Sequence, residues 1–273
     1  MRLLALVLAL ATPITASAQS QSWGGVGRLD IGDRRLCTGS LIEPDLVLTA
    51  AHCLLGDDGE EVDPFRITFR AGLDGAREEA TRRGRASGRG PGGVGPVGAS
   101  ALDLVPGDLA VLRLDRPVTS FRAIPLEIGP APFADAPLRL VSYAAGRTDA
   151  AEVQDGCQLI ERAGGILVTD CVADLGASGS PVIDDQGRIV GVLSASALRE
   201  GVEVALAADI QGALLGRLRM EAQTTRTAQA LGGATRRFGP GSGSGDGSTD
   251  IGDEDGARGS ARFVQPSAGF VRP

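Results

Sequence analysis

Three short segments of this 273-residue chain carry side chains suited to acid–base and nucleophilic chemistry. "LTAAHCLL" (48–55) contains His52, the only histidine in the sequence. "GDLAVLRL" (107–114) places Asp108 beside an apolar run, where a buried carboxylate is costly unless a donor such as an imidazole satisfies it. "GASGSPV" (176–182) places Ser178 between glycines, which let the backbone turn sharply and let a carbonyl group approach main-chain N–H groups.

Each segment alone also has a plainer interpretation. His52 could be an ordinary structural histidine, Asp108 could be a turn residue after Gly107, and Ser178 could sit in a loop that joins two strands. A metal role for His52 is disfavoured because most zinc sites need several His or Cys ligands, so we expect no metal. The three segments together are far more specific than any one of them.

The two ends of the chain differ in composition from the rest. Residues 1–18 have a basic start, an apolar run and the small-residue site "ASA", which is typical of a secretory signal peptide and too short for a membrane span. The alternative is an N-terminal membrane anchor. Residues 223–273, which include a Gly-, Ser- and Asp-rich stretch (239–261), are predicted to form a disordered tail. The folded domain is therefore predicted to lie within residues 19–222.

Charge and composition exclude several function classes. The chain has 34 acidic and 27 basic residues and no lysine, so its formal net charge is −7. Removal of Arg2 with the signal peptide would leave a mature chain at −8. An acidic chain without an aromatic-interleaved basic patch is a poor nucleic-acid binder. The one basic run, "RRGRASGRG" (82–90), is predicted to be an exposed loop. We also expect no cofactor, no membrane insertion after signal cleavage, and a monomer.

Short β-type runs dominate the region between the two ends. "FRITF" (65–69) alternates Phe65, Ile67 and Phe69 on one face and predicts a half-buried strand. "DLAVLRL" (108–114) and "RIVGVLS" (188–194) predict further strands. One amphipathic helix is predicted after a possible N-cap at Asp209, with Ile210, Leu214, Leu215 and Leu218 on one face.

Four cysteines in an exported protein suggest two disulfide bonds. Ala163-Gly164-Gly165 predicts a turn, and pairing outward from Gly164 places Cys157 opposite Cys171. Opposed residues in an antiparallel pair lie within the Cα separation that a disulfide accepts. Cys37 and Cys53 are another plausible pair.

The segments "LTAAHC", "DLAVLRL" and "GASGSP" resemble, in that order, the sequences around the triad of trypsin-like (chymotrypsin-fold) serine proteases. The resemblance spans about residues 23–222 and is greatest to compact bacterial secreted members. It implies an all-β fold of two packed six-stranded antiparallel β-barrels and a C-terminal α-helix, with the disordered tail outside it. The N-terminal barrel would cover about residues 23–120 and the C-terminal barrel about residues 121–222.

The same resemblance implies a function and roles for individual residues. The protein would be a serine endopeptidase, secreted or periplasmic in a bacterium, that cleaves polypeptides through an acyl-enzyme intermediate. Ser178 would be the nucleophile, His52 the general base and Asp108 the residue that orients the imidazole. Main-chain N–H groups of Gly176 and Ser178 would form the oxyanion hole. A Cys37–Cys53 bridge would anchor the turn that carries His52.

Two departures from the family pattern bear on activation and specificity. Ala177 stands where many members have an aspartate that pairs with a newly cut N-terminus, so we expect activity as soon as the signal peptide is gone. Val172 stands where enzymes that cut after Arg or Lys have an aspartate. With Ser194, Ala195 and Ser196 as the predicted pocket wall, small or medium apolar P1 residues are expected.

Two other functions are compatible with the sequence. One is a catalytically silent member of the fold that serves as a binding module, although such a protein has no need of all three motifs. The other is a narrow-specificity processing protease, for example one directed at glutamate. Glutamate-cutting bacterial relatives generally use an extra pocket histidine, and His52 leaves none to spare.

Overall fold

The computed structural model describes residues 23–32, 35–56, 58–93, 99–210 and 212–232. The predicted signal peptide and the stretch 239–261 lie outside these residues. As the family resemblance implied, the described chain folds into two closed, six-stranded antiparallel β-barrels. The strands are β1 (Val26–Ile31), β2 (Arg35–Glu43), β3 (Leu46–Thr49), β4 (Ile67–Ala71), β5 (Ala80–Arg89), β6 (Ala110–Leu114), β7 (Pro137–Ala144), β8 (Arg147–Ala163), β9 (Ile166–Thr169), β10 (Pro181–Ile183), β11 (Ile189–Arg199) and β12 (Val202–Asp209).

The first barrel closes in the order β1-β2-β3-β6-β5-β4. Strand β6, within the predicted "DLAVLRL" segment, is buried at all five of its positions, as expected for a short continuous apolar run. The segment "FRITF" is only partly a strand. Phe65 lies in a 3-10 turn, Pro64–Arg66, and is 51 % exposed, whereas Ile67 and Phe69 are buried in β4. The strand starts late because Pro64 favours a turn, which the Asp63 side chain caps by accepting from the Phe65 N–H at 3.0 Å.

The basic run 82–90 is not a loop, which corrects our prediction. Its residues through Arg89 belong to β5, which pairs with both β4 and β6. Gly84, Ala86 and Gly88 alternate toward the buried side of the strand, and the more exposed Arg85 and Ser87 lie between them. The sequence does alternate between small residues and polar residues, as a half-buried strand requires. The buried residues are too small to be recognised as an apolar face.

The second barrel closes in the order β10-β11-β12-β9-β8-β7, after a connector of residues 115–136. Its β8–β9 hairpin turns through two residues, Gly164 and Gly165, because Ala163 pairs with Ile166. The predicted pairing about Gly164, which would place Ala163 opposite Gly165, is therefore wrong by one residue near the turn. A register shift between Leu159 and Glu161 corrects it, and the Cys157–Cys171 disulfide forms as predicted.

Two α-helices are found in the described chain: α1 (Ala101–Leu104) and α2 (Gly212–Gly232). Helix α2 buries Leu215, Leu218 and Ala222 against the first barrel, in a core cluster that also contains side chains of the second barrel. Asp209 is not its N-cap. Asp209 ends β12, and its buried carboxylate accepts from Arg162 at 2.6 Å.

Helix α2 extends beyond the predicted end of the domain. It continues through Gly232, whereas we placed the start of the disordered tail at residue 223. The composition of the helix changes after Ala222, where apolar spacing is lost, and this is why the sequence suggested an earlier end. In the described residues, no helix combines the length and apolar character that a membrane crossing requires.

Helix α2 approaches β5 so closely that Gly88 has no room for a side chain. A Cβ at Gly88 would lie 2.3 Å from the main-chain oxygen of Leu218. Gly88→Ala should therefore push the helix away and lower the free energy of unfolding by about 1–3 kcal/mol, the usual cost of overpacking. Urea denaturation measures this change.

Gly216→Ala provides the matched control in the same helix. A Cβ at Gly216 meets nothing within 4 Å. Alanine should therefore stabilise the helix interior by about 0.5–1 kcal/mol. Equal stability of Gly88→Ala and the native protein would show that helix α2 does not pack on β5 in this way.

Candidate active site

Asp108 lies in the turn before β6 and is completely buried. Three donors surround its carboxylate. The main-chain N–H of His52 donates to Oδ1 at 3.0 Å, the Nδ1 of His52 lies 2.7 Å from Oδ2, and the Ser194 hydroxyl donates to Oδ2. The buried carboxylate thus has the imidazole partner that the sequence led us to expect. The second barrel contributes a further donor, the Ser194 hydroxyl, to the same carboxylate.

These donors also set the ionisation of Asp108. Burial by itself raises the pKa of the carboxyl. The opposing attraction of His52, together with hydrogen bonds from its ring, from the Ser194 hydroxyl and from the His52 main chain, outweighs burial and holds the pKa of Asp108 below its ordinary value. Asp108 is therefore a carboxylate at neutral pH.

His52 lies in a 3-10 turn, Ala51–Leu54, that follows β3 directly. The Cys37–Cys53 disulfide ties this turn to β2, with a Cα separation of 6.2 Å. Arg35, at the start of β2, donates to the main-chain oxygens of His52 (3.1 Å) and Leu55. The His52 side chain is 10 % exposed. The turn is thus held from two directions, and little freedom is left to the imidazole.

The position of Asp108 fixes which ring nitrogen of His52 is available for chemistry. A neutral imidazole that donates from Nδ1 to a carboxylate carries its lone pair on Nε2. Nε2 can then accept a proton from a hydroxyl group. This is the tautomer that a general base next to a serine requires.

The loop that carries Ser178 lies against the elements that hold His52. The Thr38 N–H, on β2, donates to the main-chain oxygen of Ser178 at 2.8 Å. The next residue, Gly179, approaches the end of β3 so closely that a Cβ there would lie 2.2 Å from the Thr49 Oγ1. Ser178 and His52 are therefore carried by segments that contact the same two strands.

The N–H groups of the Ser178 loop divide into two sets. Those of Ala177, Gly179 and Ser180 donate to main-chain oxygens at 2.8–3.0 Å. Those of Gly176 and Ser178 donate to no main-chain oxygen among the described residues. Two N–H groups on alternate residues of one turn, with no such internal bond, are suited to bind an oxyanion.

The predicted substrate-pocket residues differ in how far they are exposed to solvent. Val172 is 52 % exposed, at the start of the loop, and its N–H donates to the Gln154 Oε1 at 2.7 Å. Ala195 and Ser196 are half-buried on β11. The Ser194 side chain is buried, and its hydroxyl is bonded to Asp108. A register shift between Leu193 and Ala195 turns it inward.

Sequence reasoning missed several residues that support the site. Thr38 and Gln154 were not singled out, and no local sequence pattern marks either of them. Gly93 was also missed. A Cβ at Gly93 would lie 2.3 Å from the Asp108 Oδ1, so this position covers the carboxylate and excludes water without adding a side chain. No sequence pattern marks such a contact.

One group of potential metal ligands occurs in the described chain, and it is part of the site already described. Ligand-type atoms of Cys37, His52 and Cys53 lie within 4.8 Å of one another. Both sulfur atoms are joined in the disulfide, so neither is available as a thiolate. The group therefore anchors the imidazole and offers no thiolate ligand.

Comparison with known proteins identifies the family. Residues 37–192, more than half of the chain, match the family model described as the trypsin-like peptidase domain. The chain belongs to the trypsin-like peptidase family. No curated protein sequence matches this peptidase-family chain.

Solved structures of serine proteases share its fold. A Glu endopeptidase in complex with MPD is 18 % identical, with a TM-score of 0.58 over 76 % of this chain and 91 % of that one. A thermostable serine protease, AL20, from an extremophilic microorganism is 14 % identical, with a TM-score of 0.57 over 74 % and 98 %. Neuropsin, a serine protease expressed in the limbic system of mouse brain, is 16 % identical, with a TM-score of 0.54 over 78 % and 95 %. At these identities, the likeness concerns the fold alone.

The depressed pKa of Asp108 predicts how Asp108→Asn changes stability with pH. In the unfolded chain, the pKa of an Asp carboxyl is about 3.9. Because the folded-state pKa is lower, the stabilisation from the carboxylate is complete above the unfolded-state value and is lost as pH falls through the folded-state value. Asp108→Asn should cost about 1–3 kcal/mol at pH 5 and less at pH 3. Urea denaturation at the two pH values measures this.

The control for this prediction is Asp174→Asn, because Asp174 is an exposed carboxylate on the Ser178 loop. This substitution should change stability little at either pH. A stability difference between native protein and Asp108→Asn that grows toward pH 3 would contradict the account.

Proposed function

We propose that this trypsin-like peptidase is a secreted serine endopeptidase with His52, Asp108 and Ser178 as its catalytic triad. One observation carries the proposal. The only imidazole of the chain, that of His52, donates to a fully buried carboxylate, and the turn that carries it contacts the same two strands, β2 and β3, as the loop of Ser178. Burial of a carboxylate costs free energy, and a histidine with a purely structural role does not require a buried carboxylate on its Nδ1. This arrangement prepares Nε2 to act as a base.

The proposed reaction proceeds in two steps. The Ser178 Oγ attacks the carbonyl carbon of the scissile bond while the His52 Nε2 takes the hydroxyl proton. The protonated His52 then gives that proton to the leaving amine as the C–N bond breaks, which leaves an acyl-enzyme at Ser178. Water then attacks the acyl carbon while His52 takes a proton from it. The bond between the acyl carbon and the Ser178 Oγ breaks as His52 gives that proton to the Oγ, which releases the acid and restores the free serine. Asp108 stabilises the imidazolium in both steps.

The N–H groups of Gly176 and Ser178 are proposed as the oxyanion hole. Support comes from the loop geometry, in which they make no main-chain hydrogen bond within the described chain. Donors held by a folded loop stabilise the developing charge without reorganising. Each is worth a factor of about 10²–10³ in rate.

Export and maturation belong to the same proposal. Residues 1–18 would direct the chain to the periplasm or the exterior of a bacterium and be removed, and two disulfides in one small domain favour an oxidising compartment. We propose residues 19–222, extended by the rest of helix α2, as the folded domain. Ala177 is buried beside Ser178, without a carboxylate that a new N-terminus could pair with. The mature protein should therefore be active without a second cleavage.

Peptide substrates are proposed to bind with their P1 side chain in a pocket formed by Val172, Ser194, Ala195 and Ser196. These side chains are small or apolar and carry no charge to pair with Arg, Lys or Glu. The proposal therefore favours small or medium apolar P1 residues. The Glu endopeptidase among the structural neighbours suggests glutamate as the competing preference.

Ser178→Ala tests the enzyme against a silent binding module. Purified residues 19–273 should react with a fluorophosphonate probe, because the triad activates the hydroxyl, and the Ser178→Ala variant should not. His52→Ala should lower the rate of peptide hydrolysis by about 10⁴-fold or more. The readouts are probe labelling on a gel and hydrolysis of casein.

Ser180→Ala is the matched control for Ser178→Ala. Ser180 lies two residues further along the loop, and its buried hydroxyl has no partner in the described chain. Labelling should persist in this variant. Absence of labelling of the native protein at every pH from about 6 to 9 would favour the binding module.

Val172→Asp tests the placement of the P1 pocket. A carboxylate at this position should raise kcat/KM for cleavage after Arg by about tenfold or more relative to cleavage after Ala, since it offers a charge partner to an Arg side chain in the proposed pocket. Cleavage profiling of a peptide library measures the ratio. Phe121→Asp, at an 80 % exposed position of the connector, adds the same charge elsewhere and should not change it. A native preference for Arg would show that the pocket is misplaced.

A further inference from the structure

Thr38 lies at the contact between the two barrels and is completely buried. It follows Cys37 on β2. Its N–H donates to the main-chain oxygen of Ser178 at 2.8 Å, and its own main-chain oxygen accepts from the Thr49 hydroxyl at 2.8 Å. The backbone of Thr38 is thus bonded both to the Ser178 loop and to the end of β3, three residues before His52.

The hydroxyl of Thr38 makes a different connection, which any residue without a hydroxyl would lack. It accepts from the main-chain N–H of Tyr143 at 2.9 Å, near the end of β7 in the second barrel. The same hydroxyl lies 3.5 Å from the main-chain oxygen of Tyr143. A β-branched side chain has few rotamers, so this oxygen is held in one place.

The end of β7 in turn carries the first part of the Ser178 loop. The N–H of Ala145 donates to the main-chain oxygen of Leu175 at 2.6 Å. A Cβ at the next residue, Gly176, would lie 3.2 Å from the Tyr143 oxygen. Gly176 therefore rests on the segment that the Thr38 hydroxyl holds, while Ser178 is held by the Thr38 N–H.

We propose that Thr38 is a positioning residue that sets the separation of the two oxyanion-hole donors, the N–H groups of Gly176 and Ser178. The Thr38 hydroxyl positions Gly176 through Tyr143, and the Thr38 main-chain N–H positions Ser178. The inference rests on the proposed function. Loss of the hydroxyl leaves the buried Tyr143 N–H without its partner, and the end of β7 must move to satisfy it. A displacement of about 1 Å in a reacting geometry can reduce the rate by about 10²-fold.

A purely structural role for the Thr38 hydroxyl would lower stability and leave the chemistry of the folded protein unchanged. A positioning role lowers the rate of the bond-forming step instead, without weakening the first encounter with the reagent. Reaction with a fluorophosphonate separates the two effects, because its phosphoryl oxygen must enter the oxyanion hole in the transition state. The limiting rate constant, kinact, reports that step, and the half-saturation concentration, KI, reports the encounter.

Thr38→Val, which keeps the shape and removes the hydroxyl, is the test. At a temperature where the variants remain folded, Thr38→Val should lower kinact by about 10- to 100-fold, with KI within about twofold of the native value. Thr38→Ser restores the hydroxyl and should return kinact to within about threefold. Ser40→Ala is the matched control, because Ser40 is a buried hydroxyl on the same strand without a partner in the described residues, and it should leave kinact unchanged.

Three results would overturn the inference. One is a kinact for Thr38→Val within about threefold of the native value, and another is an equal loss in Thr38→Val and Thr38→Ser. If Thr38→Val does not fold, Thr38→Ala takes its place, and a native-like kinact in that variant is the third. A native protein that does not react at all would overturn the proposed function itself, and the inference with it.

Discussion

A carboxylate buried away from water is the constraint on which the arrangement of this protein depends. Asp108 is completely buried, and such a group is stable as an anion only where several donors satisfy it. The donors come from both barrels, His52 from the turn after β3 and Ser194 from β11. A shift of one barrel against the other would remove a donor from the carboxylate. The buried carboxylate therefore needs both halves of the fold, those that would form the cleft, to keep the relative position that they have in this structure.

Strand β2 anchors both segments that carry the proposed base and nucleophile. Near its start, Arg35 and Cys37 hold the turn of His52 through a guanidinium and a disulfide, and Thr38 holds the loop of Ser178. The base and the nucleophile of the proposed triad come from different barrels, yet both are anchored to one rigid strand. A catalytic geometry needs support of this kind because the reacting groups must stay aligned while covalent bonds change.

Much of this arrangement could be predicted from the sequence, and the exceptions have physical reasons. The acid–imidazole pairing followed from the cost of burying Asp108, and the Cys157–Cys171 bridge from strand pairing about a glycine turn. Strand β5 was missed because Gly84, Ala86 and Gly88 bury backbone rather than side chains, so the alternating pattern contains no large apolar residue. The role of Ser194 depends on a bulge in β11, and that of Thr38 on a contact between barrels far apart in sequence. Local patterns carry neither kind of information.

The central claim is that Asp108 holds the sole imidazole with its proton on Nδ1, which leaves Nε2 as a base for Ser178. Because the chain has one histidine, nitrogen NMR of histidine-labelled protein reports His52 without ambiguity. At a pH where the ring is neutral, the account predicts a protonated Nδ1 and an unprotonated Nε2, with the Nδ1 proton shifted downfield by its bond to the carboxylate. A neutral ring with its proton on Nε2, or one exchanging freely between the two tautomers, would contradict it.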